Sequence, residues 1–147
     1  MRCAVFTATP CGTKTALRVR ASLDASVDIF GKAGQEMPAG VRVYERLAPQ
    51  VEAAFQQYDA LVFIMATGIA VRMIAGSLKS KLEDPAVLVL DEEAQHVISL
   101  LSGHIGGANE LTRELAASLG ADPVITTATD VQKKLAVDVA AARLALR

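Results

Sequence analysis

Short, continuously apolar runs recur along the chain, and between them the apolar positions fall into helical spacing. CAVFT (Cys3–Thr7), SVDIF (Ser26–Phe30), ALVFIM (Ala60–Met65), AVLVL (Ala86–Leu90) and HVISLL (His96–Leu101) read as strands. Runs without alternation, such as ALVFIM, suit strands buried on both faces of a sheet. VRVYE after Gly40 and PVITT (Pro123–Thr127) predict two shorter strands. Helical spacing predicts one helix over Thr13–Leu23, carrying Arg18 and Arg20. It predicts another over Leu47–Tyr58, with Val51, Ala54 and Phe55 on one face. Gly68–Leu78 reads as a nearly all-apolar helix with Thr67 as its N-cap. Leu111, Leu115 and Leu119 stripe a further helix at four-residue spacing, and Gly120 is placed to end it. Val137–Leu146 predicts a terminal helix, and the Gly- and Pro-bearing stretch Gly31–Gly40 a loop.

Strands that alternate with helices across short loops predict an α/β fold, a three-layer sandwich around a mostly parallel sheet. Only DEEAQ separates AVLVL from HVISLL, too short for a helical crossover, so that pair is expected to form an antiparallel hairpin. Residues 1–58 and 59–147 make up either one compact unit or two small subdomains. No internal repeat or low-complexity linker divides them.

Composition narrows the function classes. At 147 residues the chain is long enough for one real core, and an apolar fraction of 52% argues against disorder. A net charge of −1 creates no global field toward nucleic acid or a membrane surface, and the six aromatics (four Phe, two Tyr) are too few for a base-stacking platform. No apolar stretch reaches the ~18 residues of a membrane helix, and MRCAVFT runs directly into a strand pattern rather than a leader. Cys3 and Cys11 are not spaced as metal ligands, no metal site is expected, and both read as free thiols of a reducing cytoplasm. Cys11 has no evident partner that would make it a nucleophile.

In open α/β sheets ligands bind at the carboxyl ends of the strands. The loops MATGIAVR, SGHIGGAN and TTATD each follow a strand, so all are expected on one such rim, gathered about a shared hollow. Glycine lets backbone N–H groups approach a ligand, and helix N-termini favour anions. The candidate binding set is therefore Thr67, Gly68, Arg72, Ser102, Gly103, Gly106, Gly107, Asn109, Thr126, Thr127, Thr129 and Asp130, and a carboxylate or phosphate is the expected ligand. Arg72, Lys79 and Lys81 supply positive charge nearby in sequence. His104 is the acid–base group of these loops and is expected to be exposed among its glycines. Second readings stay open beside these. Gly106 and Gly107 serve equally well in tight strand–helix packing. Glu110 either orients His104 or is a solvated first-turn acid. Asp130 caps the next segment or binds ligand, the threonines bind ligand or satisfy turn backbone, and His96 reads as structural or exposed. The G-x-x-G-G spacing is neither a dinucleotide fingerprint nor a P-loop.

The blocks ATGIAVR, DPAVLVLDE, VISLLSGHIGGAN and PVITTATD occur in this order between about Ala60 and Asp130, and there the chain resembles the CbiG family of anaerobic cobalamin biosynthesis, the cobalt-precorrin-5A hydrolases. Residues 1–58 resemble the more variable amino-terminal region of that family. The resemblance implies a cobalt-containing tetrapyrrole substrate whose δ-lactone is opened hydrolytically, with loss of the former C20 bridge carbon and its methyl group as acetaldehyde. It implies no organic cofactor, since the cobalt arrives with the substrate. It also implies a further carboxy-terminal domain beyond Arg147, so activity of this chain alone is expected to be weak or absent. On this reading His104 activates water, Glu110 assists, and the N–H groups near Gly106 and Gly107 bind the oxyanion or a carboxylate side arm. The competing readings are a non-catalytic tetrapyrrole-binding module, a nucleotide-binding domain and a purely structural subunit.

Overall fold

A computed structural model describes residues 1–128. Its elements, in chain order, are β1 (Arg2–Thr7), α1 (Pro10–Ser22), β2 (Ser26–Lys32), β3 (Val41–Tyr44), α2 (Leu47–Gln57), β4 (Ala60–Ile64), α3 (Thr67–Ile74), β5 (Ala86–Leu90), β6 (His96–Leu101), α4 (Ala108–Leu119) and β7 (Asp122–Val124). The strands form one seven-stranded sheet in the order β3-β2-β1-β4-β5-β6-β7. β1 pairs with both β2 and β4, so the stretch through Tyr58 and the stretch after it share that sheet. The expected terminal helix Val137–Leu146 lies outside the described residues.

β1 to β5 run parallel, with Ala60 to Ile64 of β4 opposite Ala86 to Leu90 of β5 in register. β6 then turns back antiparallel on β5, through a bulge at Val87/Leu88, and β7 follows β6 in parallel. The short DEEAQ connection dictates this reversal, because the parallel alternative needs a crossover of a dozen residues or more. The sheet is thus mostly parallel with one antiparallel pair, and two layers of helix cover it. α1 and α4 pack on one face through Ala16, Val19, Leu111, Leu115 and Leu119, against Val5, Ile29, Val62, Leu88 and Val97. α2 and α3 pack on the other through Val51, Phe55, Ala70 and Ile74, against Phe6, Leu61, Phe63 and Val89. Every residue of β4 and β5 is buried, as continuous apolar runs require. Phe6 stacks between Phe30 and Phe63, with ring centroids 5.0 and 5.3 Å away.

Two local expectations are corrected. Ala66, not Thr67, is the N-cap of α3, and no side chain caps that end. The helix stops at Ile74 and gives way to a 3-10 turn at Ala75–Ser77 instead of running to Leu78. Gly120 ends α4 as expected, in a left-handed conformation with φ 68° that costs glycine little.

Candidate functional site: two edges of one sheet

The reversal at β6 decides where the candidate residues lie. β1 to β5 end at one edge of the sheet, the carboxyl edge. β6 and β7 end at the opposite one, where β1 to β5 begin. The expectation of one rim is therefore overturned. Thr67, Gly68 and Arg72 follow β4 at the carboxyl edge. Ser102, Gly103, His104, Gly106, Gly107, Asn109 and Glu110 follow β6, and Thr126 and Thr127 follow β7, at the amino edge. Thr129 and Asp130 lie outside the described residues.

At the carboxyl edge, β1 feeds α1 on one face of the sheet and β4 feeds α3 on the other, which makes a topological switch point between them. Beside it a cleft of about 430 Å³ is lined by Met65, Ala66, Thr67, Val89, Asp91, Glu92, His96, Ile98 and Val124. The Arg72 guanidinium folds back over Gly68, with Nη1 3.9 Å from where a Cβ would stand. The far wall is acidic and tightly tied. The Thr9 hydroxyl donates to Glu92 Oε1 at 2.6 Å, and the Thr15 hydroxyl donates to the Glu92 carbonyl. His96 N–H donates to Asp91 Oδ1 at 2.7 Å. Burial raises the Asp91 pKa, but the backbone N–H groups of His96, Gln95, Asp91 and Glu93 outweigh it and hold the carboxyl below its ordinary range. His96 Nδ1 lies 3.7 Å from Asp122 Oδ2 at the mouth of this cleft. Asp91 and Glu92 are not among the sequence candidates, although DE at the end of an apolar strand is the available signal, and His96 is exposed, within the reading of it as structural or exposed.

At the amino edge the glycine loop closes on itself. Gly107 N–H donates to the His104 carbonyl at 3.2 Å, Ala108 N–H to the Ser102 carbonyl at 3.1 Å, and Asn109 N–H to the Gly103 carbonyl at 3.0 Å. Ser102 adopts φ 61°, an uncommon conformation for a residue with a side chain, and its hydroxyl donates to the Asp84 carbonyl at 3.1 Å. Buried Asn109 accepts from the Ser99 hydroxyl at 2.7 Å and donates Nδ2–H to Thr127 Oγ1 at 3.0 Å, joining β6, α4 and the segment after β7. Gly106 is fixed by close approach, since a Cβ there would sit 2.4 Å from Ser102 Cβ. Gly107 is instead required by its left-handed φ of 84° and faces open space. Packing thus accounts for Gly106 and backbone conformation for Gly107. His104 is exposed, as expected, and Glu110 lies exposed in the first turn of α4. Alongside lies a second cleft of about 410 Å³, lined by residues 55–59, 83–85, Ile105 and Gly106. Asp84 is buried in its wall, and both its carboxylate oxygens accept from Lys79 N–H, at 3.0 and 3.2 Å. Sequence reasoning passed over Asp84, whose place in LEDPA before a strand marked a turn.

Comparison with known proteins places the chain. The family described as Cobalamin synthesis G N-terminal matches residues 49–130. The chain belongs to this family. A cobalt-precorrin-5A hydrolase from Salmonella typhimurium is 50% identical over 145 residues, covering 98% of this chain and 40% of that protein. Another cobalt-precorrin-5A hydrolase, from Priestia megaterium, is 62% identical over 84 residues, 57% of this chain and 22% of that protein. A crystal structure of a cobalamin biosynthesis protein G homolog from Sulfolobus solfataricus superposes with a TM-score of 0.64 at 30% identity, over 85% of this chain and 36% of that one. The chain therefore spans well under half the length of these longer relatives. The stretch matched to the cobalamin synthesis G family takes in α3, the β5–β6 turn, the glycine loop and Thr127, so it covers both edges.

The described residues contain no cluster of His, Cys, Asp or Glu that could hold a metal ion, and no helix long and apolar enough to cross a membrane. Both cysteines are free: Cys3 is buried, with its thiol pushed up to about 12 by burial and then by the Asp28 charge, and Cys11 is exposed.

Proposed function

We propose that this chain is the amino-terminal part of a cobalt-precorrin-5A hydrolase, active in the anaerobic branch of cobalamin biosynthesis. The observation that carries this is the 50% identity, sustained over 98% of the chain, to the Salmonella typhimurium hydrolase. The substrate on this reading is a cobalt-containing tetrapyrrole with carboxylate side arms. Water attacks its δ-lactone, the ring opens to a carboxylate and a hydroxyl, and the C20 fragment leaves as acetaldehyde, giving cobalt-precorrin-5B. No separate cofactor is required by this chemistry, because the cobalt is part of the substrate. The free thiols of Cys3 and Cys11 suit a cytoplasmic setting.

The reacting edge we assign is the amino edge. The exposed imidazole of His104 is there, with Glu110 in the first turn of the helix that follows its loop, and there the chain leaves β7 through Thr126 and Thr127. His104 takes the proton of the attacking water. The N–H groups of Gly107, Ala108 and Asn109 are given to the loop's own carbonyls, so the donors for the oxyanion or a carboxylate arm come from the part of the longer protein that completes the site. Thr67, Gly68 and Arg72 are on the far side of the sheet and take no part in the same contact; an anionic arm at the uncapped α3 end would belong to a separate event. Because this edge forms only an open cleft, the rest of the longer protein completes the site.

The test is incubation with the lactone substrate of the 147-residue chain and of a full-length chimera, the Salmonella relative with its matched region replaced by this chain. Acetaldehyde from the chimera and little or none from the chain alone is the expected result. No acetaldehyde from a folded chimera contradicts the hydrolase reading. Corrinoid binding without product in both would favour the tetrapyrrole-binding module, which the chain's 40% share of its relative keeps as the second reading.

A further inference from the structure

Resting on the reading above, we infer that the amino-edge surface formed by Leu82, Ile105 and the cleft that Ile105 shares with the end of α2 is the docking face for the remaining length of the full protein. Leu82 and Ile105 are 68% and 64% exposed, the two highest values among the large apolar side chains of the described residues, and they lie on neighbouring loops. The Ser102 hydroxyl bond to the Asp84 carbonyl joins the two loops, and the Lys79 N–H bonds to the Asp84 carboxylate brace the one that carries Leu82. A mobile surface loop does not need such ties; a presented surface does. Leu78, 47% exposed, follows the 3-10 turn at the same end of α3.

The occupant follows from the path of the chain. β6 and β7 both run toward this edge, and Thr127, bonded to Asn109 of the glycine loop, is the next-to-last described residue. The Salmonella relative matches 98% of this chain yet is covered only to 40%, so most of that protein lies outside the matched region. Thr127 Cγ2 lies 3.1 Å from where a Cβ on Gly103 would stand, two residues along the loop from Ile105. Leu82 and Ile105 ask for apolar side chains on the partner surface, and the cleft beside them, whose wall is mostly polar and carries Asp59 and Glu83, asks for basic or polar ones. Docking there would bring the rest of the protein against His104 without touching the carboxyl edge.

The test is hydrogen–deuterium exchange on the 147-residue chain and on the full-length chimera. Amides of residues 79–84 and 103–107 are expected to exchange slower by about tenfold or more in the chimera, while β3 at the far edge strand is unchanged. Ile105→Asp and Leu82→Asp in the chimera should each return those amides to the rates of the chain alone. Should the chimera not fold, the intact Salmonella relative is read at its aligned loops against this chain. Equal exchange in short and long proteins overturns the inference. So does protection that appears in the chain alone and rises with its concentration, which would assign the face to a second copy. Acetaldehyde release is not read here, so a failed hydrolase reading and a failed docking face give separate results.

Discussion

At the carboxyl edge the strands end in an uncapped helix, an arginine folded over Gly68, and a wall of acids tied by Thr9 and Thr15. At the amino edge they begin beside a glycine loop that is cross-bonded to its neighbours, exposes His104 and Ile105, and lies where β7 delivers the chain. Both edges have the glycines, hydroxyls and charges expected of a ligand site. Their glycines differ in kind. Gly68 sits in a helix with only the far end of Arg72 within reach, whereas Gly106 is clamped against Ser102 and Gly107 holds a left-handed turn. The difference teaches that a glycine-rich loop of this sort is first a piece of engineering that fixes a backbone path. Its chemical use depends on the residue that path presents, here His104.

The largest expected contrast between the edges is in turnover. In the full-length chimera, His104→Ala should lower acetaldehyde release by about 10²-fold or more, while Arg72→Ala should change it by less than about twofold. Equal losses would merge the two edges into one functional site and break the comparison.

Stability separates them next. Gly106→Ala forces a Cβ into Ser102 and should cost about 1–3 kcal/mol. Gly68→Ala meets only the far end of Arg72 in a helical position and should raise stability by roughly 0.4–1 kcal/mol. Urea denaturation of the two variants gives opposite shifts if the glycines are as different as described. Asn109→Ala, which removes the bonds to Ser99 and Thr127, should cost about 1–3 kcal/mol and sharpen the case that the amino-edge loop is held by its polar ties.

The smallest effect is a pH dependence peculiar to the carboxyl edge. The folded Asp91 pKa lies below its ordinary value of 3.8, so between the two values the unfolded chain binds more protons and stability rises with pH. The contribution is fully present above the ordinary value and is lost as pH falls through the lowered one. Asp91→Asn should flatten that part of an acid-unfolding curve, and an unchanged curve would show that the backbone bonds around Asp91 add nothing.

Much of the fold was legible in the sequence. ALVFIM and AVLVL named the buried central strands because continuous apolar runs have no other place in such a sheet, and Leu111, Leu115 and Leu119 named the buried face of α4. DEEAQ even named the antiparallel hairpin. What went unread was its consequence: reversing β6 carries every following loop to the other edge, so SGHIGGAN and TTATD cannot share a rim with MATGIAVR. That is a property of topology, and no residue in those loops reports it. The Thr67 cap failed for a related reason, since a hydroxyl at the right place in sequence caps nothing once the helix starts at that residue. Asp84 stays hidden, and Asn109 reads as a ligand residue rather than a buried tie, because their value lies in partners such as Lys79, Ser99 and Thr127, whose proximity only the fold creates.

The account depends on β6 setting His104 and Thr67 at opposite ends of the sheet. Spin labels at Thr67→Cys and His104→Cys, in a Cys11→Ser background, measure this directly by their dipolar coupling. Six residues of β6 and the loops beyond it predict a separation on the order of 20 Å. Strong coupling at about 10 Å or less would put both residues on one rim and contradict the division of the molecule into two edges.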